Sequence, residues 1–94
     1  MSTYAIRVEL NGRPSADVYE RLHDAMSEMN AHKTIVGATG AVYDLPHATY
    51  VGTSEQDSTQ VRDLVIGVVE PIWRDCDVIV FLYDGAAWKL SRAT

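Results

Sequence analysis

The stretch "TYAIRVELNGRPSADVYERLHDAMSEMN" (Thr3–Asn30) decides the fold, because its apolar period changes part-way along. Tyr4, Ile6, Val8 and Leu10 alternate with Ala5, Arg7 and Glu9. Such alternation is that of a half-buried strand with one apolar face. "NGRPS" ends the strand with turn residues, and Ser15, after Pro14, suits a helix N-cap. The spacing then predicts a helix from about Ser15 to Asn30, with Val18, Leu22, Ala25, Met26 and Met29 on one stripe and Tyr19 at its edge. Asp17, Glu20, Asp24 and Glu28 fall on the opposite, solvent side.

Beyond this unit, "HKTIVG" (32–37) reads as a second strand, and Gly37 and Gly40 mark a turn. "AVYDLPHATYVGT" (41–53) resumes an extended chain that Pro46, lacking an N–H, should bend or interrupt. "SEQDST" supplies caps for a second helix over about Ser58 to Glu70. There Val61, Leu64, Val65, Val68, Val69 and Ile72 repeat at helical spacing, until Pro71 ends it. "DVIVFLYDG" (77–85) is apolar on both faces, as central strands are, and Asp84-Gly85 is a hairpin turn after which "AAWKLS" (86–91) would return as an extra strand.

The order β-α-β-β-α-β predicts an α+β, ferredoxin-like sandwich: one domain over residues 1–94, with an antiparallel sheet and two helices on one face. Ile79, Phe81 and Tyr83 would then lie on the uncovered face, and homodimerisation through that face or through the last strand is the simplest way to bury them.

A net charge of −5 opposes non-specific attraction to nucleic acid, so any such role needs a local basic patch. The single cysteine, Cys76, excludes an internal disulfide and a multi-cysteine zinc site, and its place before an apolar strand is that of a structural thiol. "MSTYAIRVEL" has neither a basic region nor a sustained apolar core, and no apolar run reaches membrane-spanning length; a cytoplasmic protein is expected.

No phosphate-binding loop, dinucleotide fingerprint, zinc-protease or CxxC motif is present, so no cofactor and no metal site is expected. His23, His32 and His47 are candidates for acid–base work, since histidine titrates nearest neutral pH; His23 borders the first helix's stripe as a packing histidine, and His32 and His47 flank strands. Asp17 and Asp24 stand at helical spacing from Arg21 and suggest a surface salt bridge. Arg7 and Glu9 share the strand's outward face, either as a plain charge pair or as a phosphate contact beside an acid. RNA cleavage by the 2′-hydroxyl route needs a base, an acid and a cation near the phosphate, and these residue types are all here.

Tyr4, the run Tyr19-x-Arg21-Leu22-x-x-x-Met26 with Met29-Asn30, Ile35, and Leu45-Pro46 before Ala48-x-Tyr50 together resemble the GhoS-type antitoxin endoribonucleases of type V toxin–antitoxin systems, over roughly residues 4 to 70. The resemblance implies a ferredoxin-like fold related to small CRISPR-associated nucleases, and cleavage of messenger RNA. By it, Arg21 matches the family's helix arginine, His23 stands where arginine can occur, and Glu9 best matches the acid near the end of the first strand, with a one-residue shift. A histidine in place of arginine weakens the grip on phosphate, since an unperturbed imidazole is mostly uncharged at neutral pH.

Two readings follow. The chain is a dimeric, RNA-directed protein that binds or cleaves messenger RNA, with Arg7, Arg21 and His23 on phosphate and His23 or Glu9 moving protons. Alternatively it is a non-catalytic interaction module of the same fold, with a protein partner.

Overall fold

The computed structural model describes residues 1–93. Its elements are β1 (Ser2–Leu10), α1 (Ala16–Glu28), β2 (Ala31–His32), β3 (Thr34–Val36), β4 (Val42–Asp44), β5 (Thr49–Ser54), α2 (Ser58–Val69) and β6 (Cys76–Tyr83). The main sheet runs β2-β5-β1-β6 with every neighbour antiparallel, and β3 and β4 form a separate two-stranded hairpin.

The alternation in β1 sets the layers. Tyr4, Ile6, Val8 and Leu10 are buried in one cluster with Leu22 and Met26 of α1 and Val61, Val65 and Val69 of α2, which puts both helices on the same sheet face. Arg7 and Glu9 project from the other face and are exposed. Leu22 is wholly buried, so Leu22→Ala removes packing that α1 cannot recover by collapsing. We expect a loss of about 3 kcal/mol, read as a lower denaturant midpoint with an unchanged slope.

Both helices start where the caps suggest, by different means. Ser15 holds the N-cap position of α1 without a side-chain hydrogen bond. Asp57 caps α2 in a reciprocal box, its carboxylate accepting from the Gln60 backbone N–H while the Gln60 side chain accepts from the Asp57 N–H. Leu64, placed on the α2 stripe by spacing, is 48% exposed at the edge of the helix layer.

"HKTIVG" is not one strand. Ala31 and His32 pair with Gly52 and Val51 of β5, but the carbonyl of Lys33 accepts from Leu45 N at 2.9 Å, and the chain leaves the main sheet there for the hairpin. The interruption expected at Pro46 is present, because Pro46 lies in the turn between β4 and β5.

The end of the chain departs further from expectation. Among the described residues β6 is an edge strand and pairs only with β1, whose other side is occupied by β5. The extra strand does not form. After Asp84-Gly85 the chain crosses the open sheet face above Ala5 and Val51 and is fastened to β4, where Asp44 N donates to Ser91 O (3.0 Å) and Ala93 N to Val42 O (2.9 Å), leaving one isolated bridge between Tyr43 and Arg92. Trp88 packs edge-on against Tyr43 with ring centroids 5.8 Å apart, an aromatic contact that a return alongside β6 would forgo.

Candidate functional site

Polar side chains converge where α1, the turn after α1 and the β4–β5 turn meet. His23 projects from the third turn of α1 toward Tyr50 of β5, and its Nδ1 lies 2.7 Å from the Tyr50 hydroxyl. Tyr50 is fully buried, and burial pushes its phenol well above the ordinary value, so it stays protonated and can donate or accept. When His23 Nδ1–H donates to it, Nε2 keeps its lone pair and can accept a proton. When the phenol donates to Nδ1, Nε2–H is a donor. Both states hold the ring in one orientation.

His47 enters from the β4–β5 turn. Its ring packs edge-on against Tyr19 at 4.4 Å between centroids and stands 6.4 Å from the His23 ring. The backbone takes an unusual path to place it: Ala48, buried, has φ +54. A left-handed residue with a Cβ costs about 1–2 kcal/mol, and such costs gather at functional positions. The turn is tied down on both sides, since Val8 N donates to Ala48 O at 3.0 Å and Arg7 Nη1 donates to His47 O at 2.7 Å.

Two open clefts flank His23 and share it with Lys33. One, of about 230 Å³, also has Asp44 and His47 in its walls. The other, of about 280 Å³, is lined by Glu20, Asp24 and His32. The groove is thus mixed in charge, and at its end nearest the β4–β5 turn Lys33, His23 and His47 share the walls with the Asp44 carboxylate.

His23 titrates below its ordinary value. Burial is the main cause; Lys33 and His47 add to it, and Glu20 and Asp24 oppose it. The sign for stability follows. The unfolded chain binds this proton first as pH falls, so the contribution of neutral His23 is intact above about pH 6.5 and is lost as pH drops through the lower folded-state value. NMR titration should place His23 below the free imidazole, with Lys33→Ala moving it upward. A midpoint at or above that of free histidine, or one indifferent to Lys33, would contradict this environment.

Not every expected site residue is here. Arg21 and His23 are two positions apart, about 200° around a helix, so they point to different sides and cannot hold one phosphate. Arg21 is exposed, lines neither cleft, and forms no ion pair with Asp17 or Asp24; the described ion pairs are Arg7–Glu9 at 3.3 Å and Arg62–Asp63 at 2.9 Å. Glu9 lies across the sheet from the helices, paired with Arg7, and lines neither cleft. Arg7 meets the site through the His47 carbonyl alone. Lys33 and Tyr50 were not legible as site residues, and His47, an acid–base candidate by residue type, was not legible as a neighbour of His23, because nothing in their spacing joins these positions to 23.

Among the described residues no three His, Cys, Asp or Glu side chains cluster closely enough to hold a metal ion, and no helix is long and apolar enough to cross a membrane. Cys76 is partly buried, and burial, with Glu70 and Asp77 nearby, pushes its thiol up, away from a reactive thiolate. No protein-family model matches the chain, and no curated protein matches it.

Proposed function

We propose that this chain is a ferredoxin-like, RNA-directed protein whose groove cleaves single-stranded messenger RNA by the 2′-hydroxyl route. The strand order β2-β5-β1-β6, with a helix in each crossover, supports the fold assignment. The observation that carries the function is the convergence of His23, Lys33 and His47 on one groove, with His23 Nδ1 held 2.7 Å from the Tyr50 hydroxyl. The GhoS-type resemblance points to the same substrate and to a toxin–antitoxin setting.

In this reading His23, kept neutral by its surroundings, accepts the 2′-hydroxyl proton at Nε2. The 2′ oxygen attacks phosphorus, and the bond from phosphorus to the 5′ oxygen breaks. His47 delivers a proton to that leaving oxygen, which yields a 2′,3′-cyclic phosphate and a 5′-hydroxyl end. Lys33 offsets the charge that builds on the phosphoryl oxygens. Arg7 acts as a positioning residue, because its hydrogen bond to the His47 carbonyl holds the turn that carries the imidazole.

The test is a single-turnover cleavage assay on a mixed transcript pool, with and without EDTA. It compares wild type with His23→Gln and His47→Gln, each checked for folding by circular dichroism. Specific cuts bearing cyclic-phosphate ends, lost in both variants and absent on all-deoxy strands, support the proposal. Cuts that persist in both folded variants, or no cuts at all, reject it and favour the non-catalytic module, for which the bare apolar edge of β6 speaks.

A further inference from the structure

The two edges of the main sheet are treated very differently. One ends in β2, only two residues long and followed by Lys33, so it offers little backbone to a stranger. The other is β6, eight residues paired with β1 from Cys76 to Tyr83 without a bulge. No described strand covers its outer side. Edge strands are ordinarily blunted by charge, proline or a bulge. From Val78 to Tyr83, "VIVFLY", β6 has none of these, and Ile79, Phe81 and Leu82 are 49%, 54% and 59% exposed.

We infer that β6 pairs antiparallel with β6 of a second copy of this chain, joining two four-stranded sheets into one of eight strands about a two-fold axis beside Val80. The pleat limits the register. Directly opposed residues in an antiparallel pair share a sheet face, so a two-fold axis perpendicular to the sheet falls beside a residue and never between two. With Val80 on the axis, Ile79 faces Phe81 of the second copy, Val78 faces Leu82, and Val80 faces itself. Every pair from Val78 to Leu82 is then apolar on both faces.

The placement of the acids favours the same register. The carboxylates Asp75, Asp77 and Asp84 bracket the apolar run Val78–Tyr83. Centred on Val80, Asp77 meets Tyr83 and Asp84 meets Cys76, so no acid faces an aliphatic or phenyl side chain. Moving the axis to Ile79 would set Asp77 against Phe81 and leave Leu82 against Cys76, and moving it to Phe81 would set Asp84 against Val78; either breaks the apolar run from Val78 to Leu82. The other candidate occupant within the chain, the segment after Tyr83, is already committed to β4. A second copy is the partner whose edge matches this one in length, polarity and charge placement. This pairing is independent of the chemistry assigned to the histidine groove.

Sedimentation of the full chain across the micromolar range tests it, together with Phe81→Lys, Ile79→Lys and a pair of cysteine variants in a Cys76→Ser background. Both lysine positions are exposed in the single chain, so these variants should keep the wild-type circular dichroism. The expected result is dimer mass for wild type and monomer mass for either lysine variant. Mild oxidation should cross-link Val80→Cys, which meets itself at the axis, and leave Leu82→Cys, which faces Val78, uncoupled. A monomeric wild type overturns the inference. So does a dimer that survives both lysine variants, or one that cross-links as readily through position 82 as through 80. Dimer mass seen only after RNA or another protein is added assigns the edge to that partner and overturns it as well.

Discussion

Replacing His23 or His47 with glutamine is expected to slow RNA cleavage by roughly 10²–10⁴-fold, the range for losing one acid–base group. The double variant should be only modestly slower than either single one. Base and acid act in the same displacement, so removing the second after the first costs little more. Glutamine keeps an amide near the Tyr50 hydroxyl and fills most of the imidazole's volume, so the loss should be chemical and not structural. The pH profile gives a further check. His23 must be neutral to accept the 2′-hydroxyl proton, and burial with the nearby Lys33 holds its titration below the ordinary histidine value. The acid limb of kcat/KM should therefore lie below pH 6.5, the free-imidazole value, and move upward in Lys33→Ala even as the maximum rate falls. An acid limb unaffected by that change would place the base elsewhere.

Gly52→Ala should cost as much stability as Leu22→Ala. Gly52 in β5 faces Tyr4 on one side and Ala31 on the other, and a Cβ built on it would stand 2.5 Å from the backbone carbonyl oxygen of Asn30. That oxygen has no side-chain freedom with which to retreat. Asn30 is itself held at φ +62 between α1 and β2. The alanine must push the two-residue β2 off the sheet or shift the end of α1, with Met26 and Leu22 behind it. Overpacking of this kind costs about 3 kcal/mol, and for a chain of this size the melting temperature falls by roughly 15 °C. Lys33 follows β2 directly, so the groove should widen with it and any cleavage should weaken at temperatures where the variant is still folded. A melting temperature within a degree or two of wild type would show that β2 does not sit against β5 as described.

Much of the fold was legible because it is written in local periodicity. The alternation of Tyr4, Ile6, Val8 and Leu10 and the stripes of α1 and α2 reappear as the buried core. The misreadings fall where local pattern is silent about what comes alongside. "DVIVFLYDG" is apolar enough for a central position, yet position in a sheet depends on which strands arrive on either side. β1 is flanked by β5 and β6, and the tail turns away to set Trp88 edge-on against Tyr43. "HKTIVG" has the composition of a single strand, but the hydrogen bond from Leu45 to the Lys33 carbonyl draws its second half into another sheet.

The candidate site was less legible. His23 was identified at the helix border, and its other partners come from positions 33, 47 and 50, on segments with no shared spacing. Arg21 and His23, close in sequence, are parted by the turn of the helix; His23 and Tyr50, 27 residues apart, are within a hydrogen bond. By itself the sequence determined the elements and their buried faces, because burying an apolar stripe requires only the right period along one segment. Only the tertiary structure decided which polar groups meet and which strand edge is left bare, because those depend on packing between segments that carry no record of one another.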